Sequence, residues 1–130
     1  MKTFVHEQVV RFEEGDPGGI AFFANAYLYA HRAYEAFIRD LGFPEFFTGK
    51  DVLVPFVHTE CDHLSPMRPG DVLTVEVVVE KLGSTSMTLA YTVKVGERVS
   101  ARVRMVSVFV DGTTFEKIEI PSVYRQALQG

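Results

Sequence analysis

The stretch EEGDPGGIAFFAN, Glu13 to Asn25, holds the residues best placed for chemistry. Asp16 stands in an Asp-Pro-Gly-Gly turn that runs directly into an apolar, aromatic segment. Two readings compete. Aspartate favours the first position of a turn and bonds its own backbone nearby, so Asp16 can be a turn residue and nothing more. The same carboxylate can instead attack a carbonyl carbon or activate a water, and both routes need it ionised at neutral pH. Pro17 is pre-set for the second position of the turn, and Gly18 and Gly19 permit positive φ.

A second polar cluster, HTECDH at residues 58–63, invites a metal reading. On a strand, His58, Glu60 and Asp62 share one side while Cys61 and His63 share the other. Neither side reproduces a zinc spacing such as Cys-x2-Cys or His-Glu-x2-His, so no metal is expected. Cys61 also lacks a Cys–His framework that would mark a nucleophile. As the single cysteine it excludes an internal disulfide and fits a reducing cytoplasm, the expected location.

Composition narrows the field further. Thirteen Lys plus Arg against 17 Asp plus Glu give a net charge of −4, which argues against a nucleic-acid partner. No apolar run approaches the roughly 18 residues of a membrane span. The opening MKTFVHEQVV reads as the start of a strand rather than as a secretion signal.

The elements that must position Asp16 follow from periodicity. Residues 3–12 are rich in β-formers and read as a strand. From about Ala24, Tyr27, Ala30, His31, Tyr34, Phe37, Ile38 and Leu41 recur at three- and four-residue steps, one face of a long helix. Gly42 and Pro44 stop it. Four strands are expected after the loop at 42–50. The first is DVLVPFVHTECDHLSP. The second is GDVLTVEVVVEKL, with Leu73, Val75, Val77 and Val79 on one face. MTLAYTVKV and VSARVRMVSVFVD follow, joined by tight turns, and PSVYRQAL closes the chain as a helical turn or two. A helix this apolar must be covered, and a curved antiparallel sheet wrapped around it does so within one α+β domain, residues 1–130. Such a sheet leaves edge strands that pair with a second copy, so a homodimer or larger is expected.

Strand, Asp-x-Gly-Gly loop, aromatic pair, Asn, long helix and four-strand meander together resemble the hotdog fold. More narrowly, GDPGGIAFFANAY resembles the signature loop of the 4-hydroxybenzoyl-CoA thioesterase family. SPMRPGDVLTVEVVVEKLGSTSMTLAYTV and FEKIEIP are similar to later segments of that family, so the resemblance runs from about Phe4 to Pro121. It implies hydrolysis of an acyl-CoA to free acid and CoA, with no cofactor beyond the CoA of the substrate itself. It also implies dimers, often paired into homotetramers, with active sites between subunits.

The resemblance matches the catalytic carboxylate to Asp16 and the carbonyl-polarising backbone amide to Phe23. The first amides of a helix lack acceptors and carry partial positive charge, so one aimed at a thioester oxygen stabilises the oxyanion. The residues expected around substrate are Gly19, Phe22, Asn25, His31, Arg68, Ser84 and Thr85. Each has a plainer reading: Gly19 shapes the loop, Asn25 caps the helix, and Phe22 and Phe23 fill core. His31 is a partly buried histidine with one partner, where relatives commonly carry a carboxylate; as a functional residue it would orient water or a ring hydroxyl. Arg68 lies on a solvated face, and Ser84 and Thr85 belong to a hairpin turn. The phenylalanine pair favours an aromatic or short branched acyl group. The rival readings are a hydratase or dehydratase on the same fold, using a His–carboxylate pair, and a non-catalytic acyl-CoA-binding or structural subunit.

Overall fold

The computed structural model describes residues 1–130. In chain order the elements are β1 (Thr3–Val9), α1 (Asn25–Asp40), β2 (Val52–Leu53), β3 (Phe56–His63), β4 (Val72–Leu82), β5 (Ser86–Val95), β6 (Arg98–Val108), β7 (Val110–Asp111) and α2 (Ser122–Gln129). Short 3-10 turns occupy Phe12–Glu14 and Pro44–Phe46. Five strands form one antiparallel sheet in the order β1-β4-β5-β6-β3, and β2 pairs with β7 beside it. The sheet packs its inner face on α1, the α+β arrangement of the hotdog fold. No helix is long and apolar enough to cross a membrane.

Strand alternation fixes which side chains face α1. Leu73, Val75, Val77 and Val79 of β4 are buried, as are Met87, Leu89, Tyr91 and Val93 of β5 and Ala101, Val103 and Met105 of β6. Burying one such large aliphatic side chain stabilises by about 1.5–3 kcal/mol. These rows hold the sheet against the helix and thereby hold the helix entrance in place.

Three boundaries and the buried face of the helix differ from the sequence reading. β1 ends at Val9, because residues 12–14 close into a 3-10 turn whose last residue, Glu14, is buried. The first expected strand after the helix is split before and after Pro55 into β2 and β3, and the last is split at Phe109 into β6 and β7. The buried stripe of α1 is Ala26, Tyr29, Ala30, Ala33, Tyr34, Phe37 and Ile38, while Tyr27 and His31 are only half-buried. Three alanines, Ala26, Ala30 and Ala33, let the sheet approach the helix closely between the larger Tyr29, Tyr34, Phe37 and Ile38.

Candidate active site

The loop between β1 and α1 is tied to itself and to the rest of the fold through its backbone. Gly15 and Ala21 bridge across its neck. Asp16 N–H donates to the Ile20 carbonyl at 2.8 Å, and Gly19 N–H donates to the Asp16 carbonyl at 3.0 Å. Gly19 has φ of +77°, a conformation that glycine adopts at no steric cost. Ala21 N–H reaches across to the Met67 carbonyl, and Phe22 N–H to the Glu14 carbonyl.

Within this frame Asp16 is half-buried, and its Oδ1 accepts from Gly18 N–H at 2.9 Å. Its Oδ2 has no partner in the chain. A Cβ added at Gly18 would stand 3.1 Å from Asp16 Oδ1, so the glycine keeps space beside the carboxylate.

Phe23 and Ala24 follow on the other arm of the loop. The Phe22 and Asn25 amides are engaged, but those of Phe23 and Ala24 donate to nothing in the chain. They are the unsatisfied donors at the entrance to α1, where the helix dipole is positive. The expected core role for the phenylalanine pair does not hold: Phe22 is 47% exposed and Phe23 67% exposed. The reason is that Ala21 and Ala26 turn inward around them. Asn25 is also not the helix cap. Ala24 precedes it with helical torsions, and the Asn25 side chain donates from Nδ2 to the Glu14 carbonyl at 3.0 Å.

One cavity borders this loop and a second lies farther along α1. The first, of about 330 Å³, is lined by Ile20, Ala21, Phe23, His63, Leu64 and Met67. The Phe23 and His63 rings meet edge-on with centroids 6.2 Å apart. The second, of about 280 Å³, opens among His31, Tyr34, Phe47, Phe56 and Phe115. His31 Nδ1 lies 3.7 Å from Glu35 Oε1 on the next turn. The Tyr34 hydroxyl is buried with no partner, and burial, aided by Tyr91, pushes its pKa well up, so it stays a neutral donor.

Glu14 is the residue that the sequence reading missed. It is 8% exposed, and its Oε1 accepts from Arg11 N–H at 2.9 Å and from the Tyr29 hydroxyl at 3.1 Å. Its Oε2 lies 3.0 Å from Arg32 Nη1. The usable signal was a tyrosine and an arginine three apart on the helix, able to meet one acid from the same side. Phe47, Phe56 and Phe115 were missed because their loops and edge strand carry no periodicity.

The remaining expected residues lie elsewhere. Arg68 follows Met67 on an exposed turn, where its N–H donates to Asp71 Oδ2 at 2.8 Å. The Ser84 and Thr85 carbonyls accept from Ile120 and Phe109, so this turn packs under the C-terminal segment and lines neither cavity. His58 lies 3.2 Å from Glu60, and Cys61 Sγ 3.6 Å from His63 Nε2. Burial, with a contribution from Asp62, raises the Cys61 thiol pKa, opposite to what a nucleophilic thiolate requires.

One loop thus carries both a half-buried carboxylate and the unengaged amides at the helix entrance. The thioesterase-like superfamily profile matches residues 10–128, and the chain belongs to that superfamily. It is 33% identical over 129 residues to a 1,4-dihydroxy-2-naphthoyl-CoA hydrolase of Nostoc punctiforme, covering 98% of this chain and 87% of the relative. A protein so named from Synechococcus elongatus is 28% identical over 132 residues, covering 99% and 97%. Among solved structures, a gentisyl-coenzyme A thioesterase superposes with a TM-score of 0.87 at 26% identity, covering 98% of this chain and 100% of that one. A 1,4-dihydroxy-2-naphthoyl-CoA thioesterase from Synechocystis superposes at 0.91 with 22% identity, covering 98% and 96%, and so shares the fold.

Proposed function

We propose that this protein hydrolyses an aromatic acyl-CoA, with 1,4-dihydroxy-2-naphthoyl-CoA as the leading substrate. The observation that carries the reading is the single loop that bears both the Asp16 carboxylate, open at Oδ2, and the unengaged Phe23 amide. The thioester carbonyl oxygen accepts from the Phe23 N–H. Asp16 then either attacks the carbonyl carbon, expelling CoA thiolate and leaving a mixed anhydride for water to open, or takes a proton from an attacking water. Either route yields free acid and CoA thiol. The amide stabilises the negative charge that develops on oxygen, a contribution of about 10²–10³ in rate.

The aromatic preference is supported by the ring of His31, Tyr34, Phe47, Phe56 and Phe115 around the second cavity, and by the aromatic thioesters for which the relatives are named. His31, half-buried on the wall of that cavity, is the polar group there that meets a ring hydroxyl. Gly19 shapes the loop, and Phe22 flanks Phe23 with ring centroids 4.8 Å apart. Asn25 holds the loop to the helix through the Glu14 carbonyl.

The β3 edge supports assembly. Phe56 to Glu60, Asp62 and His63 are all exposed, and β3 pairs on only one side, with β6. Two copies joined edge to edge would bury that strand, giving a homodimer that pairs again into a homotetramer. The one unbridged cysteine suits a reducing cytoplasm.

Thiol release from a panel of benzoyl, dihydroxynaphthoyl, phenylacetyl, branched and long-chain acyl-CoA tests the reading. Dihydroxynaphthoyl-CoA is expected to turn over with kcat/KM of about 10⁴ M⁻¹s⁻¹ or more. Feeble hydrolysis across the panel would refute it.

A further inference from the structure

Two residues before Asp16, the buried carboxylate of Glu14 takes no part in the hydrolytic chemistry, yet it is bonded more densely than any other acid in the chain. Its carboxylate is bound to the helix through Tyr29 and Arg32, and to the chain before the loop through Arg11 N–H. Its carbonyl accepts from Phe22 N–H and from Asn25 Nδ2, both at 3.0 Å. One residue therefore grips α1 with its side chain and the segment leading to Phe23 with its backbone.

There is little slack between Glu14 and Asp16. Only Gly15 separates them, bridged to Ala21, and a Cβ at Gly15 would fall 2.9 Å from Pro69 Cγ. A buried ion pair is seldom the most stable filling for its space; its clearest use is to fix geometry. We propose that Glu14 is a positioning residue: anchored on Tyr29 and Arg32, it sets the offset between the Asp16 carboxylate and the Phe23 amide. The proposal rests on the hydrolytic reading above, in which both groups face one thioester. A displacement of about 1 Å in such an arrangement costs up to about 10²-fold in rate.

Steady-state hydrolysis of 1,4-dihydroxy-2-naphthoyl-CoA and benzoyl-CoA by wild type, Glu14→Gln, Tyr29→Phe and Asp16→Asn, well below each melting temperature, tests it. Glu14→Gln should lower kcat about tenfold or more while KM stays within about twofold. Tyr29→Phe removes one hydroxyl without changing the packing volume and should lower kcat in the same sense by about threefold. A purely structural role would lower melting temperatures and leave kcat at the wild-type value. That result in folded Glu14→Gln, with Asp16→Asn inactive, would overturn the proposal. If Glu14→Gln does not fold, Tyr29→Phe decides, and an unchanged kcat overturns it. Full activity in Asp16→Asn, or no turnover by the wild type, would remove the hydrolytic reading and this inference together.

Discussion

Arg32 Nη1 lies 3.0 Å from Glu14 Oε2, closing an ion pair between the loop and the middle of α1. Burial alone would push the Glu14 carboxyl up, but the Arg11 amide, Arg32 and Tyr29 together outweigh it and hold it below the ordinary carboxylate value. A carboxyl depressed in the folded state stabilises above its unfolded pKa, and that stability is lost as pH falls through the folded value. Urea unfolding should therefore show the wild type losing stability below about pH 5, with part of that loss absent in Glu14→Gln. At pH 7 the variant should be less stable by about 2 kcal/mol, less than for a fully buried pair because Arg32 reaches solvent.

Asp16→Asn separates chemistry from loop structure. The carboxamide oxygen can still accept from Gly18 N–H, so the melting temperature should barely move, while kcat falls by at least about 10². Gly18→Ala should also cut kcat, because its Cβ would crowd Asp16 Oδ1 from 3.1 Å. Thermal melts beside thiol-release rates distinguish the two effects.

His31 stands in the aromatic cavity with Glu35 3.7 Å behind it. His31→Leu should raise KM for dihydroxynaphthoyl-CoA by about tenfold, the loss of roughly one good hydrogen bond. KM for benzoyl-CoA, which has no ring hydroxyl, should hardly change. Equal effects on both substrates would place the ring hydroxyls elsewhere.

Phe115 is the one non-glycine residue at positive φ, 63°, and its ring is 61% exposed at the rim of the same cavity. The left-handed conformation costs a side-chain-bearing residue about 1–2 kcal/mol, of which glycine would give back part to its own chain entropy. Phe115→Gly should thus gain about 0.5 kcal/mol in denaturant unfolding. Its KM for aromatic thioesters should rise in the same preparation, a stabilised protein that binds substrate less well.

The sheet was legible because β4, β5 and β6 alternate cleanly, so Leu73 to Val79 declare their face without help. The helix was legible in extent and in the burial of Ala30, Tyr34, Phe37 and Ile38, but Ala26, Tyr29 and Ala33 complete its buried stripe while Tyr27 and His31 lie at its margin, half-buried. The loop announced Asp16 through turn chemistry. It hid Glu14, whose burial depends on Tyr29 and Arg32, fifteen or more residues away. Asn25 misled because a polar residue at a helix entrance suggests a cap, whereas this one bonds across to the Glu14 carbonyl. Long-range partners of this kind leave no local pattern.

The loop around Asp16 uses its amides internally at Asp16, Gly18, Gly19 and Phe22 and against Met67 at Ala21, while Phe23 and Ala24 keep theirs. A segment already wired in this way has few torsions left to freeze when a ligand arrives. In a calorimetric titration with a non-hydrolysable thioether analogue, the heat capacity change would then report only the apolar area that the acyl group covers. The entropy penalty of ordering a lid would be missing from the balance.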